Sequence, residues 1–149
     1  MKRTFSIVAF AFLATTILSA QADRVKGVWI TASDSSSVKI IKHTNGKYIG
    51  HINWMMEPND AYGRPKLDKN NPDPKKQNEE LIGLKLLKKF EYNKRKNRWE
   101  NGTIYDPDNG KSYSCYMWFE DGDHNTLYLK GYVMGLKFLG RETIWKRKR

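Results

Sequence analysis

Short segments of alternating apolar and polar residues recur along most of the chain, and this pattern constrains its fold most strongly. Successive side chains of a β-strand point to opposite faces, so alternation is typical of a strand with one buried face. The pattern predicts eight strands, at residues 25–31, 38–44, 47–55, 82–92, 98–105, 111–120, 125–133 and 138–146. Short turns between them indicate an all-β sandwich or up-and-down barrel. About eight strands close a small barrel, so we expect an antiparallel eight-stranded barrel or strongly coiled sheet.

Segment 82–92 also has a helical interpretation, because it is rich in leucine and lysine. Its apolar residues nevertheless fall on alternate positions, interrupted only at Lys88, and Gly83 disfavours a helix. We expect a strand here.

The first 22 residues resemble no part of this pattern. A basic head is followed by an apolar run without charges, and Ala20-Gln21-Ala22 supplies the small residues that a signal peptidase reads. The run is short for a membrane span, so a secretory signal peptide cut after Ala22 is favoured over an uncleaved anchor. Residues 23–149 then form a single exported domain, which we expect in the periplasm or the extracellular space, with no membrane span after cleavage.

The chain is strongly basic. Its net charge of +11 falls to +9 when the signal, which holds two bases and no acid, is removed. This charge favours anionic partners such as phospholipid or cell-wall polymer, and export makes nucleic acid an unfavoured partner. Cys115 is the only cysteine, so no disulfide within the chain can stabilise the fold.

Residues 57–80 interrupt the strand pattern. This segment holds four of the five prolines and scarcely any apolar residue. Connections of this length are either functional lids or plain insertions, and both interpretations stay open.

The segment Asp106-Pro107-Asp108-Asn109-Gly110 predicts a hairpin turn. Pro107 suits the first turn position and Gly110 the left-handed one, which pairs Asp106 with Lys111 and Ile104 with Tyr113. The spacing lacks the alternate ligands and distant glutamate of a calcium loop. We therefore assign Asp106, Pro107 and Gly110 to a structural turn.

That pairing places Cys115 on the more apolar face of its strand. Ile104, Tyr113, Met117 and Phe119 share this face, which should point into the core or a cavity, whereas Tyr116 and Trp118 point outward. A buried cysteine of this kind acts as a small hydrophobic residue rather than a nucleophile.

The three histidines do not predict a metal site. Asn45-Gly46 is typical of a two-residue type I′ hairpin, which pairs His43 with Tyr48 and His51 with Ile40 and sends the two rings to opposite faces. Zinc needs three or four converging ligands. We expect no metal, no cofactor and no catalytic residue.

These features predict a non-catalytic binding protein. In a barrel with many aromatic residues, Tyr113, Cys115, Met117 and Tyr132 are the candidate contacts for a small apolar or amphipathic ligand. The alternative is a basic surface module, in which the outward Tyr116 and Trp118 hold anionic lipid, cell-wall polymer or a partner protein.

The two ends of the chain suggest how a barrel closes. Gly27-x-Trp29 stands in the first strand, and Arg141 and Trp145 stand in the last. First and last strands are neighbours in a closed barrel, so Arg141 is expected to stack on Trp29. This pairing resembles lipocalin-like (calycin) barrels, which use a similar Gly-x-Trp with a basic residue from the final strand.

A second resemblance covers nearly the whole chain after the signal. Its motifs are Asp68-x-x-Asn71-Pro72-Asp73, Leu81-x-Gly83, Trp99-x-x-Gly102-x-Ile104-Tyr105-Asp106-Pro107-x-x-Gly110-Lys111-x-Tyr113, and Leu139-Gly140-Arg141. These motifs are similar to those of the exported bacterial family catalogued as domain of unknown function 2147. Membership implies a bacterial, exported single domain and no particular activity. The chain departs from the family pattern at residues 75–80, where an arginine and a proline are expected.

Overall fold

A computed structural model describes residues 20–149, and the predicted signal peptide lies outside these residues except for its last three. The strands are β1 Gly27–Ile30, β2 Ser36–Lys42, β3 Tyr48–Met55, β4 Lys85–Asn93, β5 Arg98–Asp106, β6 Lys111–Trp118, β7 Thr126–Tyr132 and β8 Arg141–Arg147. Single 3-10 turns lie at Pro74–Lys76 and Lys137–Leu139. Each predicted strand is present.

The strands form a closed antiparallel barrel in which each strand pairs with the next in the chain. β8 returns to β1, where Trp29 lies opposite Arg147 and Ile30 opposite Lys146. The all-β barrel is therefore confirmed, and the helical alternative for segment 82–92 is excluded. The end that carries the β2–β3, β4–β5 and β6–β7 connections is called the lower end, and the opposite end is called the upper end.

Inward-facing apolar side chains fill the barrel. They include two tryptophans, Trp29 and Trp99, both without solvent exposure. Burying such large side chains supplies most of the stability of a domain that lacks a disulfide. The other fully buried residues of this core are Val25, Val38, Ile40, Tyr48, Leu87, Phe90, Cys115, Met117, Leu127 and Leu129.

Two irregularities alter the predicted alternation in β4 and β5. Lys89 and Asn101 adopt positive φ values of 65° and 62°; Lys89 adds a residue to β4 relative to β3, and Asn101 adds one to β5 relative to β6. Phe90 consequently turns inward over Gly102, where an added Cβ would collide with the ring. The apolar alternation of segment 82–92 does not continue through the strand, because Leu87 rather than Leu86 lies opposite Ile104.

The hairpin at Asn45-Gly46 is also confirmed, but its turn is one residue longer than predicted. Gly46 N–H donates to the His43 carbonyl, and His43 N–H donates to the Lys47 carbonyl. Gly46, at φ 80°, supplies the left-handed position. The extra turn residue shifts the register, so Lys42 faces Tyr48 and Lys39 faces His51, and both predicted histidine pairs are wrong.

The long segment between β3 and β4 packs against the outside of the barrel. Asp68 is fully buried there, and its carboxylate accepts hydrogen bonds from the Tyr105 hydroxyl and the Asn71 amide, both at 2.7 Å. Burial and the bond to Asp68 raise the pKa of Tyr105 above its ordinary range. The segment is thus anchored to the wall by a buried polar contact.

Candidate functional site

The lower end of the barrel is sealed by residues 20–26. The Trp99 indole N–H donates to the Ala22 carbonyl at 3.0 Å, and the Trp29 indole N–H donates to the Val25 carbonyl at 2.9 Å. Ala22 and Val25 are themselves buried. The N–H group of each indole therefore has a hydrogen-bond acceptor at this end of the barrel. Residues 20–26 block the entry of a ligand here.

Arg147, and not Arg141, closes the seam between the first and last strands. The Arg147 guanidinium carbon lies 4.2 Å from the centroid of the Trp29 ring. Arg141 is exposed and pairs with Gly131 near the upper end of β8. The predicted contact between Trp29 and Arg141 is wrong, because the offset of β8 against β1 brings the last residue of β8 to Trp29.

Arg147 also holds three backbone carbonyls. Its guanidinium nitrogens donate to the carbonyl oxygens of Arg24, Lys26 and His124 at 2.7, 2.9 and 3.1 Å. One side chain thus ties the N-terminal segment, the β6–β7 connection and β8 together. Trp145 is buried on the inward face opposite Leu127.

The upper end of the barrel is less completely covered. Ile104, Tyr113 and Gly131 lie on the inward face and are partly exposed, whereas Cys115 and Met117 lie deeper and are buried. Tyr113, Cys115 and Met117 are therefore brought together on the face that the sequence predicts. Burial raises the pKa of the Cys115 thiol to about 12, so the thiol is protonated at neutral pH.

Tyr132 lies apart from these three residues. It is opposite Ser114 on the outer face, and its ring is 6.1 Å from that of Tyr116. The alternation of Leu127, Leu129 and Gly131 on the inward face already indicates this orientation in the sequence. The four candidate ligand contacts thus do not form one set.

The outer face of β6 and β7 carries an aromatic strip made of Tyr116, Trp118, Tyr128 and Tyr132. The ring of Trp118 lies 5.4 Å from those of both Tyr116 and Tyr128, and it is stacked on Tyr128. All four side chains are half-buried. A continuous row of aromatic faces on a barrel wall is a surface for planar or amphipathic partners.

Arg98 adds a fixed positive charge beside this strip. Its guanidinium carbon lies 4.5 Å from the Tyr116 ring centroid, and it forms an ion pair of 2.7 Å with Glu100. Burial tends to raise the pKa of Glu100, but hydrogen bonds from Asn93, Arg98 and Lys96 outweigh it and lower the pKa to about 2. Arg98 is therefore paired and oriented before any partner arrives.

The Asp106–Gly110 turn has the predicted geometry. Gly110, at φ 70°, donates its N–H to the Asp106 carbonyl, and Asp106 pairs with Lys111. The Asp106 carboxylate accepts from the Asp108 backbone N–H and the Asn109 side-chain amide at 3.0 and 2.8 Å. Asp106, Pro107 and Gly110 thus serve a turn whose oxygens are used within the hairpin.

The turn also receives the long segment. The Asn70 side-chain amide donates to the carbonyls of Pro107 and Asp108 at 3.1 and 2.9 Å. The two motifs near Asp68 and near Asp106 are therefore parts of one packing unit. The carboxylates of Asp68 and Asp106 accept hydrogen bonds from groups within that unit.

Two surface clefts lie outside the barrel wall. One, of about 300 Å³, is formed by the long segment and includes Arg64, Lys66 and Lys69. The other, of about 420 Å³, lies at the β4–β5 hairpin beside Lys94 and Arg95. Within residues 20–149, no three His, Cys, Asp or Glu side chains are grouped to hold a metal ion.

Comparison with known proteins assigns the chain to a family. The profile of DUF2147, described as an uncharacterized protein conserved in bacteria, matches residues 27–147. The chain belongs to this family. A comparison with curated protein sequences gives no match.

A solved structure resembles the barrel. It is the protein HP1028 from the human pathogen Helicobacter pylori, which belongs to the lipocalin family. The two share 25% sequence identity and a TM-score of 0.69, over 84% of this chain and 83% of the other. This chain is thus a lipocalin-like barrel, an architecture suited to binding a small ligand. In the part of the chain that the structure describes, no helix is long and apolar enough to cross a bilayer.

Two features of the structure are not predicted from the sequence. Arg147 belongs to the basic C-terminal run, which resembles a solvated tail, so its contact with Trp29 has no local signal. The exposure of residues 133–139 is the second, because their apolar side chains resemble the start of a buried strand. The glycine and lysine within that stretch, Gly135 and Lys137, were the available signal.

Proposed function

We propose that this protein is a non-catalytic binding protein of the bacterial envelope that holds a small apolar or amphipathic molecule at the upper end of its barrel. The supporting observation is the asymmetry between the two ends. The lower end is sealed by Val25 and Arg147, both of which lie after the predicted cleavage site, whereas Ile104 and Tyr113 remain partly exposed on the inward face above. Partly exposed apolar side chains inside a barrel rim gain free energy when a ligand covers them.

The lipocalin-like fold supports the same proposal, since such barrels are typically binding proteins rather than enzymes. The protonated, buried Cys115 and the internally paired Asp106 provide no nucleophile or general base at this end. Export to the envelope rests on the predicted signal peptide and on the family resemblance.

Two isoleucines allow a matched test. Ile104 faces inward near the upper end, and Ile144 faces outward opposite Tyr128. We expect native mass spectrometry of the gently extracted protein to show a bound small molecule. Ile104→Trp should fill the space at the upper end of the barrel and abolish this adduct, whereas Ile144→Trp should retain it. Thermal unfolding should show that both variants are folded. An empty wild-type protein that also fails to bind fluorescent fatty acids, or an equal loss in both variants, would contradict the proposal.

A second function is supported by the aromatic strip. Tyr116, Trp118, Tyr128 and Tyr132 form an outward aromatic surface beside Arg98, whose charge is paired with Glu100, on a chain of high net positive charge. Such a surface favours an anionic envelope component: lipid, cell-wall polymer or a partner protein. Ionic strength separates the two functions, because electrostatic attachment weakens steeply with salt and ligand binding inside the barrel hardly changes.

A further inference from the structure

The β7–β8 loop, residues 133–139, exposes more apolar surface than any strand of the barrel. It carries five large apolar side chains among seven residues. Their exposed fractions are 61% for Val133, 84% for Met134, 42% for Leu136, 77% for Phe138 and 69% for Leu139. Contiguous apolar side chains exposed to this degree are typical of a surface that a partner covers.

The loop presents these side chains from a folded backbone. Leu136 N–H donates to the Val133 carbonyl at 2.9 Å, and Leu139 N–H donates to the Leu136 carbonyl at 3.0 Å. Gly135 adopts φ 85°, and the last three residues form a 3-10 turn. These turns hold the loop backbone in one conformation, so the apolar side chains are presented together from an ordered segment.

Positive charge accompanies the apolar side chains. From Thr126 to Arg141 the chain contains three bases, Lys130, Lys137 and Arg141, and no acid. The Lys137 ammonium lies 5.7 Å from the Tyr132 ring centroid, and the Lys130 side chain lies against Gly140 at the base of the loop. Bases therefore surround the root of the loop while the apolar side chains extend beyond it.

The loop is continuous with the aromatic strip through Tyr132. Tyr132 contacts Tyr116, which in turn contacts Trp118. An apolar tip, a row of tyrosine and tryptophan rings, and flanking bases are the three components of an interfacial membrane contact. Apolar side chains enter the acyl region, aromatic rings lie at the headgroup level, and bases meet anionic lipid.

We infer that the β7–β8 loop inserts into the surface of an anionic lipid bilayer, with Phe138 and Leu139 among the acyl chains and Lys137 at the headgroups. Charge complementarity selects this occupant, because the loop itself carries Lys137 and no acid, its flanks carry Lys130 and Arg141 against the single acid Glu142, and the whole chain is strongly basic. The inference deepens the second proposed function and is independent of any ligand in the barrel.

The test uses the exported form of the protein and sedimentation with vesicles of phosphatidylglycerol and phosphatidylethanolamine. We expect F138S/L139S to weaken vesicle binding at least tenfold, because binding scales with the apolar area that is buried. The matched control is M56S/Y62S, since Met56 and Tyr62 are also exposed, at 61% and 83%, but lie in or beside the long segment. This control should change binding less than twofold.

A second readout separates insertion from attachment by charge alone. In Phe138→Trp, brominated acyl chains should quench the fluorescence of the added tryptophan. In Tyr62→Trp, the quenching should not exceed that of the wild-type protein. Lys137→Glu should weaken binding by about fivefold or more and should leave thermal unfolding unchanged.

Three results would overturn the inference. The first is wild-type protein that does not bind anionic vesicles. If that protein instead binds purified cell-wall polymer, the second proposed function is preserved. The second is equal vesicle binding by F138S/L139S and by the control, which would show that the protein binds lipid through a surface other than this loop. Binding that survives the loop variant but fails in W118S/Y128S would assign the surface to the aromatic strip instead.

Discussion

At the scale of single residues, Arg147 joins the N-terminal segment, the β6–β7 connection and β8 at the barrel seam. Its guanidinium covers Trp29 and donates to the carbonyls of Arg24, Lys26 and His124. Charge-assisted hydrogen bonds and a cation–π contact are stronger where water is excluded. Burial lowers the pKa of the guanidinium below its usual value, but an arginine side chain remains charged.

Arg147→Ala should lower the free energy of unfolding by about 2–4 kcal/mol, because three carbonyls and one indole face lose their partner together. Arg141→Ala is the control. Its side chain is exposed, so the expected change is within about 0.5 kcal/mol. Urea unfolding of both variants measures this difference. Equal losses would show that Arg147 does not close the seam.

At the scale of elements, the β5–β6 hairpin and the long segment behave as one unit. Asp68 binds the Tyr105 hydroxyl, and Asn70 binds the turn at Pro107 and Asp108. Gly110 makes this approach possible, because an added Cβ would lie against the Asn70 carbonyl oxygen. The turn therefore holds the long segment in place only because residue 110 has no side chain; a side chain there would displace Asn70.

Substitutions at two glycines can distinguish the effect of backbone strain from the effect of losing this contact. Gly110 and Gly122 have φ values of 70° and 80°, but a Cβ at Gly122 would meet nothing within 4 Å. Gly122→Ala should cost about 1 kcal/mol of stability from conformational strain alone. Gly110→Ala should cost at least about 2 kcal/mol and make residues 57–80 sensitive to limited proteolysis. If the two variants unfold alike and resist protease alike, the segment is not anchored at this turn.

At the scale of the whole molecule, the two ends of the barrel differ in what closes them. Residues 20–26 form the lower closure, and Ala22 contributes a buried methyl group and the acceptor for Trp99. The predicted signal cleavage after Ala22 falls within this closure. Removal of Ala22 would leave a buried indole N–H without its carbonyl partner.

A chain that begins at Asp23 should therefore be less stable than one that begins at Ala20. The expected loss is about 1–3 kcal/mol, from the unpaired indole and the missing methyl group. Urea unfolding followed by tryptophan fluorescence measures the difference, and the intact mass of the exported protein shows which form occurs. Equal midpoints for the two chains would mean that Ala22 has no part in the closure.

Local patterns in the sequence account for much of the barrel. Alternation predicts all eight strands, and the Asp106–Gly110 turn predicts the pairing of β5 with β6 and the inward set Tyr113, Cys115 and Met117. These features follow from the sequence because alternation and turn chemistry act over a few neighbouring residues.

The tertiary structure decides how distant parts of the chain meet. The offset between β1 and β8 depends on the closure of the whole barrel, and it brings Arg147 instead of Arg141 to Trp29. The bulge at Lys89 exists because Phe90 packs over Gly102 on the neighbouring strand. Such contacts join residues whose positions are set by the packing of all eight strands, so no local pattern specifies them.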